Sequence, residues 1–363
     1  MKNFAVYRLP YEDKCTMIRQ IEGEPLSFDS CSKLNGHAGF VIAPFTVTSE
    51  QPIWLIRADE VKEMDIDEMV TDEGAAVPNG GSRVTPSSRT VPSPSDEYAR
   101  DFECFHSKLA SGVFSKIVLG RSAVYTFTEP NNPLKLFQET CRSYPRLFIA
   151  LTRLPSGEYW LTATPEILLD GVGKQWRTIA LAGTMQLEKD DLSFDVPPSV
   201  DGKSPIDIRW STKNIQEQRY VASYIGECLK QFDIDFQEEG PRTVSAANLV
   251  HLRSDFTFTI ENTKQVGSLL DVLHPTPAVC GIPKQEVHDF IVANEHSPRD
   301  YYCGFMGVLG ETTHLYVSLR CMKISDNQCR LYAGGGLLKE SIMEQEWMET
   351  EAKMQTMKRL LND

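Results

Sequence analysis

A mixed α/β protein is predicted, on three observations. Apolar runs and apolar alternations such as Phe114-Ser-Lys-Ile-Val-Leu recur along the chain and read as strands. Two of them, Arg146–Arg153 and Glu158–Thr164, flank Pro155-Ser-Gly as an antiparallel hairpin. Between the strands lie stretches of helical period behind the candidate N-caps Ser95, Ser211 and Ser341.

The totals bound the function. The chain has 363 residues, 41% hydrophobic and 24% charged, enough for a large core. A formal net charge of −13 excludes a nucleic-acid surface, which needs clustered Lys and Arg, and any anionic substrate must be drawn in by local positive charge or a bound cation. Nine cysteines without metal-ligand spacing suit a reducing, cytoplasmic setting. No stretch is long and apolar enough to span a membrane.

Residues 1–73 read as a strand-rich part, with Phe4–Leu9, Gly39–Pro44 and Pro52–Arg57 as short strands. Residues 74–95, dominated by Gly, Pro and Ser, read as a linker or mobile loop, and residues 186–208 as another exposed loop. Residues 96–363 form the remainder. There Ser95 caps a helix whose Phe102, Phe105 and Leu109 share a face. The strand Phe114–Phe127 follows, with Lys116 on the apolar face of Phe114 and Val118. Pro165 forces an extended residue before it and sets Glu166 at a strand end. Thr178–Thr184 is a small-residue strand expected to end at Gly183 and Thr184 with free backbone N–H groups.

Ser211 opens a helix on which Glu217 is in line with Val221, Tyr224 and Cys228. A carboxylate on an apolar face is protonated, paired or metal-bound. A Pro/Gly-ordered loop, Leu273–Pro283, leads into the helix Lys284–Asn294. His314–Lys323 reads as a central strand with Arg320 sharing a face with Tyr316 and Ser318, suited to bidentate carboxylate binding. The last helix, Lys339–Met354, is entered through Gly334-Gly-Gly, and beside its apolar stripe lie Glu346, Glu349 and Lys353. Gathered carboxylates need a cation between them, and an all-oxygen donor set favours Mg²⁺. No phosphate-binding glycine loop is present. A lysine, a strand-end glutamate and an inward arginine around such a cation suit a small polycarboxylate handled by acid–base chemistry.

These segments resemble the chorismate-utilising enzymes, and within them the isochorismate synthase branch. The resemblance covers roughly residues 98 to 360, through Lys116-Ile-Val-Leu-Gly-Arg, Ala163-Thr-Pro-Glu, Leu181-Ala-Gly-Thr, His274-Pro-Thr-Pro-Ala-Val-Cys-Gly-Ile-Pro, Arg299-Asp-Tyr-Tyr-Cys-Gly and Tyr332-Ala-Gly-Gly-Gly through Glu346-Trp-Met-Glu-Thr-Glu-Ala-Lys353. It implies a large single α/β unit of α+β type, with antiparallel-rich sheets packed between helices around a central cleft. It further implies that Lys116 activates water against C2 of chorismate while Glu166 protonates the departing C4 hydroxyl. Glu217 and Glu349 would bind Mg²⁺, with Glu346 reaching it through water. Arg320, Lys353 and the backbone at Gly183, Thr184 and Gly334 would hold the substrate carboxylates; Ala278 and Val279 would line the ring pocket, and His251 would stand near the leaving hydroxyl. Where relatives often carry Glu-His, this chain has Glu217-Gln218, and Asn214 stands where an acid is frequent.

The resemblance therefore implies Mg²⁺-dependent isomerisation of chorismate to isochorismate by a cytoplasmic monomer or weak dimer, for menaquinone or siderophore biosynthesis. Salicylate synthase, which goes on to eliminate pyruvate, is the alternative; aminodeoxychorismate synthase and a non-catalytic chorismate-binding protein are further ones. Anthranilate synthases carry glutamine where Lys116 stands, and simple binding would need neither Lys116 nor Glu166.

Overall fold

The computed structural model describes residues 3–70, 93–127, 132–186, 209–246, 249–325 and 327–361. The loop expected over 74–95 lies outside them up to residue 92, and that expected over 186–208 lies outside them from residue 187.

Among the described residues two nine-stranded sheets carry the fold, and every neighbouring pair of strands is antiparallel. The first runs, edge to edge, Gly281–Ile282, Lys116–Thr126, Gln328–Leu337, Cys321–Ser325, Tyr159–Thr164, Phe148–Arg153, Phe4–Arg8, Lys14–Arg19 and Glu60–Asp65. The second runs Phe236–Ala246, Leu249–Thr259, Gln175–Gln186, Ile167–Val172, Thr312–Val317, Phe305–Leu309, Gly39–Ala43, Ile53–Ile56 and Leu26–Phe28. The N-terminal strands thus join both sheets.

Six α-helices cover the described parts of the sheets: α1 (Asp96–Ala110), α2 (Pro133–Ser143), α3 (Thr212–Gln231), α4 (Val266–Leu273), α5 (Lys284–Asn294) and α6 (Met343–Lys358). Helix α1 packs on the strand Lys116–Thr126, α6 on Gln328–Leu337, and α3 on Gln175–Gln186. None is long and apolar enough to cross a membrane. The caps Ser95 and Ser211 accept the amides of Tyr98 and Asn214, as their positions predict.

The central strands Phe148–Arg153 and Tyr159–Thr164 of the first sheet are buried on both faces, which explains their apolar runs, whereas its edge strand Glu60–Asp65 is mostly exposed. Along Phe148–Arg153, Phe148 and Ala150 enter the core shared with the second sheet, while Ile149 and Leu151 enter a second core with Phe137 and Met357. Phe148 stacks on Tyr316 of the facing sheet with ring centroids 4.2 Å apart.

Three expectations are corrected. The predicted strand His314–Lys323 is two strands in different sheets, Thr312–Val317 and Cys321–Ser325, and Arg320 stands in the crossing with φ +45°. Apolar residues on both sides of the break made it look continuous. The glycines 334–336 lie inside a strand, and α6 begins only at Met343; Ser341 accepts the amide of Leu338 instead of capping the helix. The strand through Gly183 continues to Gln186, with Gly183 (φ +70°) as a bulge between Ala182 and Thr184.

Candidate active site

Two of the chain's passages between the sheets run side by side. Thr164-Pro165-Glu166 leads from the first sheet to the second, and Ser318-Leu319-Arg320 leads back. The two crossings are bonded to each other: Thr162 Oγ1 donates to the Leu319 carbonyl (2.8 Å), Ala163 N–H to that of Arg320 (3.2 Å), and Val317 N–H to that of Glu166 (2.9 Å). Glu166 and Arg320 are thereby delivered to one place, 3% and 7% exposed.

A cleft opens there, with about 670 Å³ of empty space counting its mouth to solvent. Ten predicted residues line it: Glu166, Gly183, Thr184, Glu217, His251, Ala278, Val279, Arg320, Gly334 and Lys353. Lys116, Glu346 and Glu349 lie outside its lining but adjoin it through the glycine strand. A Cβ on Gly336 would fall 2.1 Å from Glu217 Oε1 and 3.0 Å from Lys116 Cε; one on Gly335 would fall 3.2 Å from Glu346 Oε2 and 3.8 Å from Glu349 Oε1. Only glycine leaves room for these side chains against the backbone.

Each carboxylate faces a lysine. Lys116, wholly buried, places Nζ 3.2 Å from Glu217 Oε1; Lys353 donates to Glu349 Oε1 (2.7 Å) and to the Gly334 carbonyl (3.0 Å); Lys213 bonds Glu346. Burial pushes the Glu217 carboxyl up, but Lys116, Lys213 and Lys353 outweigh it and hold it below its ordinary value. Glu346 is pushed up, by burial first and by Glu349, against the pull of Lys213. Its Oε2 is buried without a hydrogen-bond partner. Among the described residues no three His, Cys, Asp or Glu side chains stand in metal-ligating geometry. The orphaned oxygen of Glu346, the glycine cradle and the oxygen-only donors nevertheless fit a hard dication that would take over charge now balanced by lysines.

Opposite in character is Glu166. Burial drives its carboxyl up to about 8, although Lys116, Lys353 and Arg320 all act to lower it. It is therefore protonated at neutral pH. His251 donates from Nδ1 to the Gly183 carbonyl (3.2 Å), because Arg320, which can only donate, occupies Nε2 at 2.7 Å. Burial, Arg320 and Lys353 hold this imidazole well below its ordinary value, so it is neutral. Burial lowers Arg320 to about 10, leaving it charged at neutral pH.

Beside Val279, Arg299 and Glu295 form a buried ion pair. Glu295 accepts the Gly120 amide (2.6 Å), and Arg299 donates to the carbonyls of Val118 and Val279 (2.7 Å each). The sequence reading missed Lys213, though it lies one helical turn before Glu217, and Tyr302 and Tyr332, which line the cleft. The i, i+4 spacing on a known helix face was the available signal for Lys213. Gln218, wholly buried, donates to Ser254 Oγ (2.8 Å).

The chain matches the family profile described as chorismate binding enzyme over residues 45–362, which reaches further into the N-terminal strands than residue 98. It is 29% identical to the isochorismate synthase DhbC of Bacillus subtilis over 283 residues, 75% of this chain and 69% of that protein. It is 27% identical to isochorismate synthase EntC and 29% to isochorismate synthase MenF of Escherichia coli, over 67% and 70% of this chain. These alignments span 61% and 57% of those two relatives, less than two thirds of their length. The solved structure of MenF, the menaquinone-specific isochorismate synthase from Escherichia coli, superposes with a TM-score of 0.76 at 23% identity, covering 99% of this chain and 88% of that one. Anthranilate synthase component I of Streptococcus pneumoniae shares the fold with a TM-score of 0.63 at 15% identity, over 93% and 82% of the two chains. Every residue that builds the cleft lies inside the matched span, and the chain belongs to the chorismate-binding enzymes.

Proposed function

We propose that the chain is an isochorismate synthase, isomerising chorismate to isochorismate in a Mg²⁺-dependent reaction. One observation carries the reading: a carboxyl held protonated at neutral pH, Glu166, shares its site with a buried lysine, Lys116, whose charge acts on it. That division supplies an acid and a base to one bound ring. Lys116, once it has given up its own proton, takes one from the water that attacks C2, and Glu166 gives its proton to the hydroxyl leaving C4. Arg320 and Lys353 hold the substrate carboxylates, and Ala278 and Val279 face the ring. His251, neutral, stays a hydrogen-bonding group beside the leaving hydroxyl and keeps Arg320 in place.

Glu217, Glu349 and Glu346 are the groups that would hold Mg²⁺, which when bound supplies positive charge against a substrate carboxylate. The relatives are named as isochorismate synthases, and the solved MenF as menaquinone-specific, which supports a place in menaquinone or siderophore biosynthesis. In this reading the protein works in the cytoplasm as a monomer or weak dimer, with the chemistry carried by the part of the chain from residue 96 onward and the N-terminal strands, Phe4–Arg8 to Glu60–Asp65, completing the sheets.

The test is incubation of purified protein with chorismate and Mg²⁺, with products separated by chromatography. Isochorismate in reversible equilibrium with chorismate is expected, and none after EDTA treatment. Unchanged chorismate, or salicylate and pyruvate as the main products, would overturn the reading.

A further inference from the structure

The helix that carries Glu346, Glu349 and Lys353 is gripped on its neighbouring face by one side chain. Arg121 extends from the strand that begins at Lys116 and meets three residues of α6. Its guanidinium carbon lies 3.7 Å from the centroid of the Trp347 ring, its Nε donates to Thr350 Oγ1 (2.6 Å), and its Nη2 bonds Glu351. Tyr98 of α1 closes the other approach to Trp347 edge to face, at 5.0 Å. Thr350 in turn donates to the Trp347 carbonyl (2.7 Å). At 100° per residue, Trp347, Thr350 and Glu351 centre on a direction roughly a quarter turn or more from that of Glu346, Glu349 and Lys353. One grip on the first face therefore fixes how far the second is turned toward Gly334–Gly336.

We propose that Arg121 is a positioning residue that sets the rotation of α6, and so the placement of Lys353, Glu349 and Glu346 against the glycine strand. A guanidinium suits this because its plane stacks on an indole while its edge donates to two further partners. Carboxylate and ammonium groups stand about 6 Å from a helix axis, so a turn of about 15° would carry them about 1.5 Å. A misplacement of about 1 Å costs on the order of 100-fold in rate. The role rests on the proposed reaction for its catalytic consequence, but the grip itself does not.

The test is a double-mutant cycle with Arg121→Met and Lys353→Met, read as kcat/KM for isochorismate formation beside thermal melts. Arg121→Met should lower kcat/KM on the order of 100-fold alone, and by about tenfold or less when Lys353 is already methionine, since one of the three groups it places is then gone while Glu349 and Glu346 remain. Arg121→Lys should recover only part of the loss, because an ammonium cannot stack and bond in the same fork. Should Arg121→Met fail to fold, Thr350→Val, which removes the acceptor of Nε and the bond to the Trp347 carbonyl, takes its place with a loss of about tenfold expected. A kcat/KM within threefold of wild type, or an equal loss in both backgrounds, would overturn the proposal. Amide hydrogen exchange supplies an arm independent of turnover. Faster exchange in the variant confined to 343–354 and 333–336 supports the grip; unchanged or uniformly faster exchange sinks it. If the wild-type protein makes no isochorismate, the proposed function falls, and exchange alone decides the grip.

Discussion

Replacing Glu166 by glutamine should make the protein more stable and nearly inactive, by amounts the site itself supplies. The carboxyl ionises at about 8 in the folded chain against an ordinary 4.5, with burial as the main cause. Below pH 4.5 both folded and unfolded chains are protonated, and the group costs folding nothing. Between 4.5 and 8 only the unfolded chain ionises, so stability falls as pH rises; above 8 the loss is complete. At about 1.4 kcal/mol per tenfold, the burden is about 3 kcal/mol at pH 7 and about 5 kcal/mol above pH 8. Glutamine has nearly the same shape and no charge to bury. For a chain of 363 residues, 3 kcal/mol corresponds to a rise in Tm of about 4 °C. Loss of a general acid should lower kcat by at least about 100-fold. Thermal melts of both proteins from pH 4 to 9, beside initial rates, read both effects. The Tm gain should be absent near pH 4, grow to pH 8 and then level, and wild-type kcat should decline above pH 8. A Tm difference that does not change with pH, or a variant that keeps its kcat, would refute the assignment of Glu166 as a buried acid.

Lys116→Met should lower turnover by at least about 100-fold while chorismate binding by calorimetry stays measurable; a variant that keeps most of its kcat would remove Lys116 from the chemistry. Glu349→Gln should raise the Mg²⁺ concentration for half-maximal rate about tenfold or more, whereas exposed Glu344→Gln should leave it in place; equal shifts would dismiss the carboxylate site. Ala278 lines the cleft with a methyl group only, so a larger side chain bearing a hydroxyl there would crowd the bound ring and offer it a hydrogen bond. Ala278→Thr should therefore raise the fraction of salicylate among the products, and an unchanged ratio would show that this position does not steer the outcome.

Much of the site was legible because helices and strands advertise their faces. Glu217 stood in line with Val221 and Cys228, which are buried in the core, and Lys116 alternated with Phe114 and Val118. A charge on an apolar face was the signal in both cases, and both charges are spent on each other at 3.2 Å. What alternation could not convey was a change of sheet. Tyr316 and Met322 are both buried, so nothing between them marks the break at Ser318–Arg320. The glycine run was misread as the entrance to a helix because its requirement comes from elsewhere in the chain. Glu217, far away in sequence, lies where a Cβ on Gly336 would stand, and Glu346 crowds Gly335.

That change of sheet also explains why acid and arginine meet. Within a strand, successive side chains are committed to opposite faces, and both faces of the first sheet's central strands are filled. A residue at a crossing is released from this alternation, so its side chain can point along the gap between the sheets. One crossing alone would leave backbone groups unpaired in a buried gap, at a cost of about 1–3 kcal/mol each. Two antiparallel crossings side by side bond each other, as Ala163 to Arg320 and Val317 to Glu166 do here. Pairing thus lets the fold keep Glu166 buried enough to remain protonated while setting Arg320, charged, within its electrostatic reach. Burial first, and then Arg320 at its Nε2, keep His251 neutral. The protonation pattern of the cleft follows from where the chain changes sheets, and a substitution that shifted either crossing would disturb all three groups together.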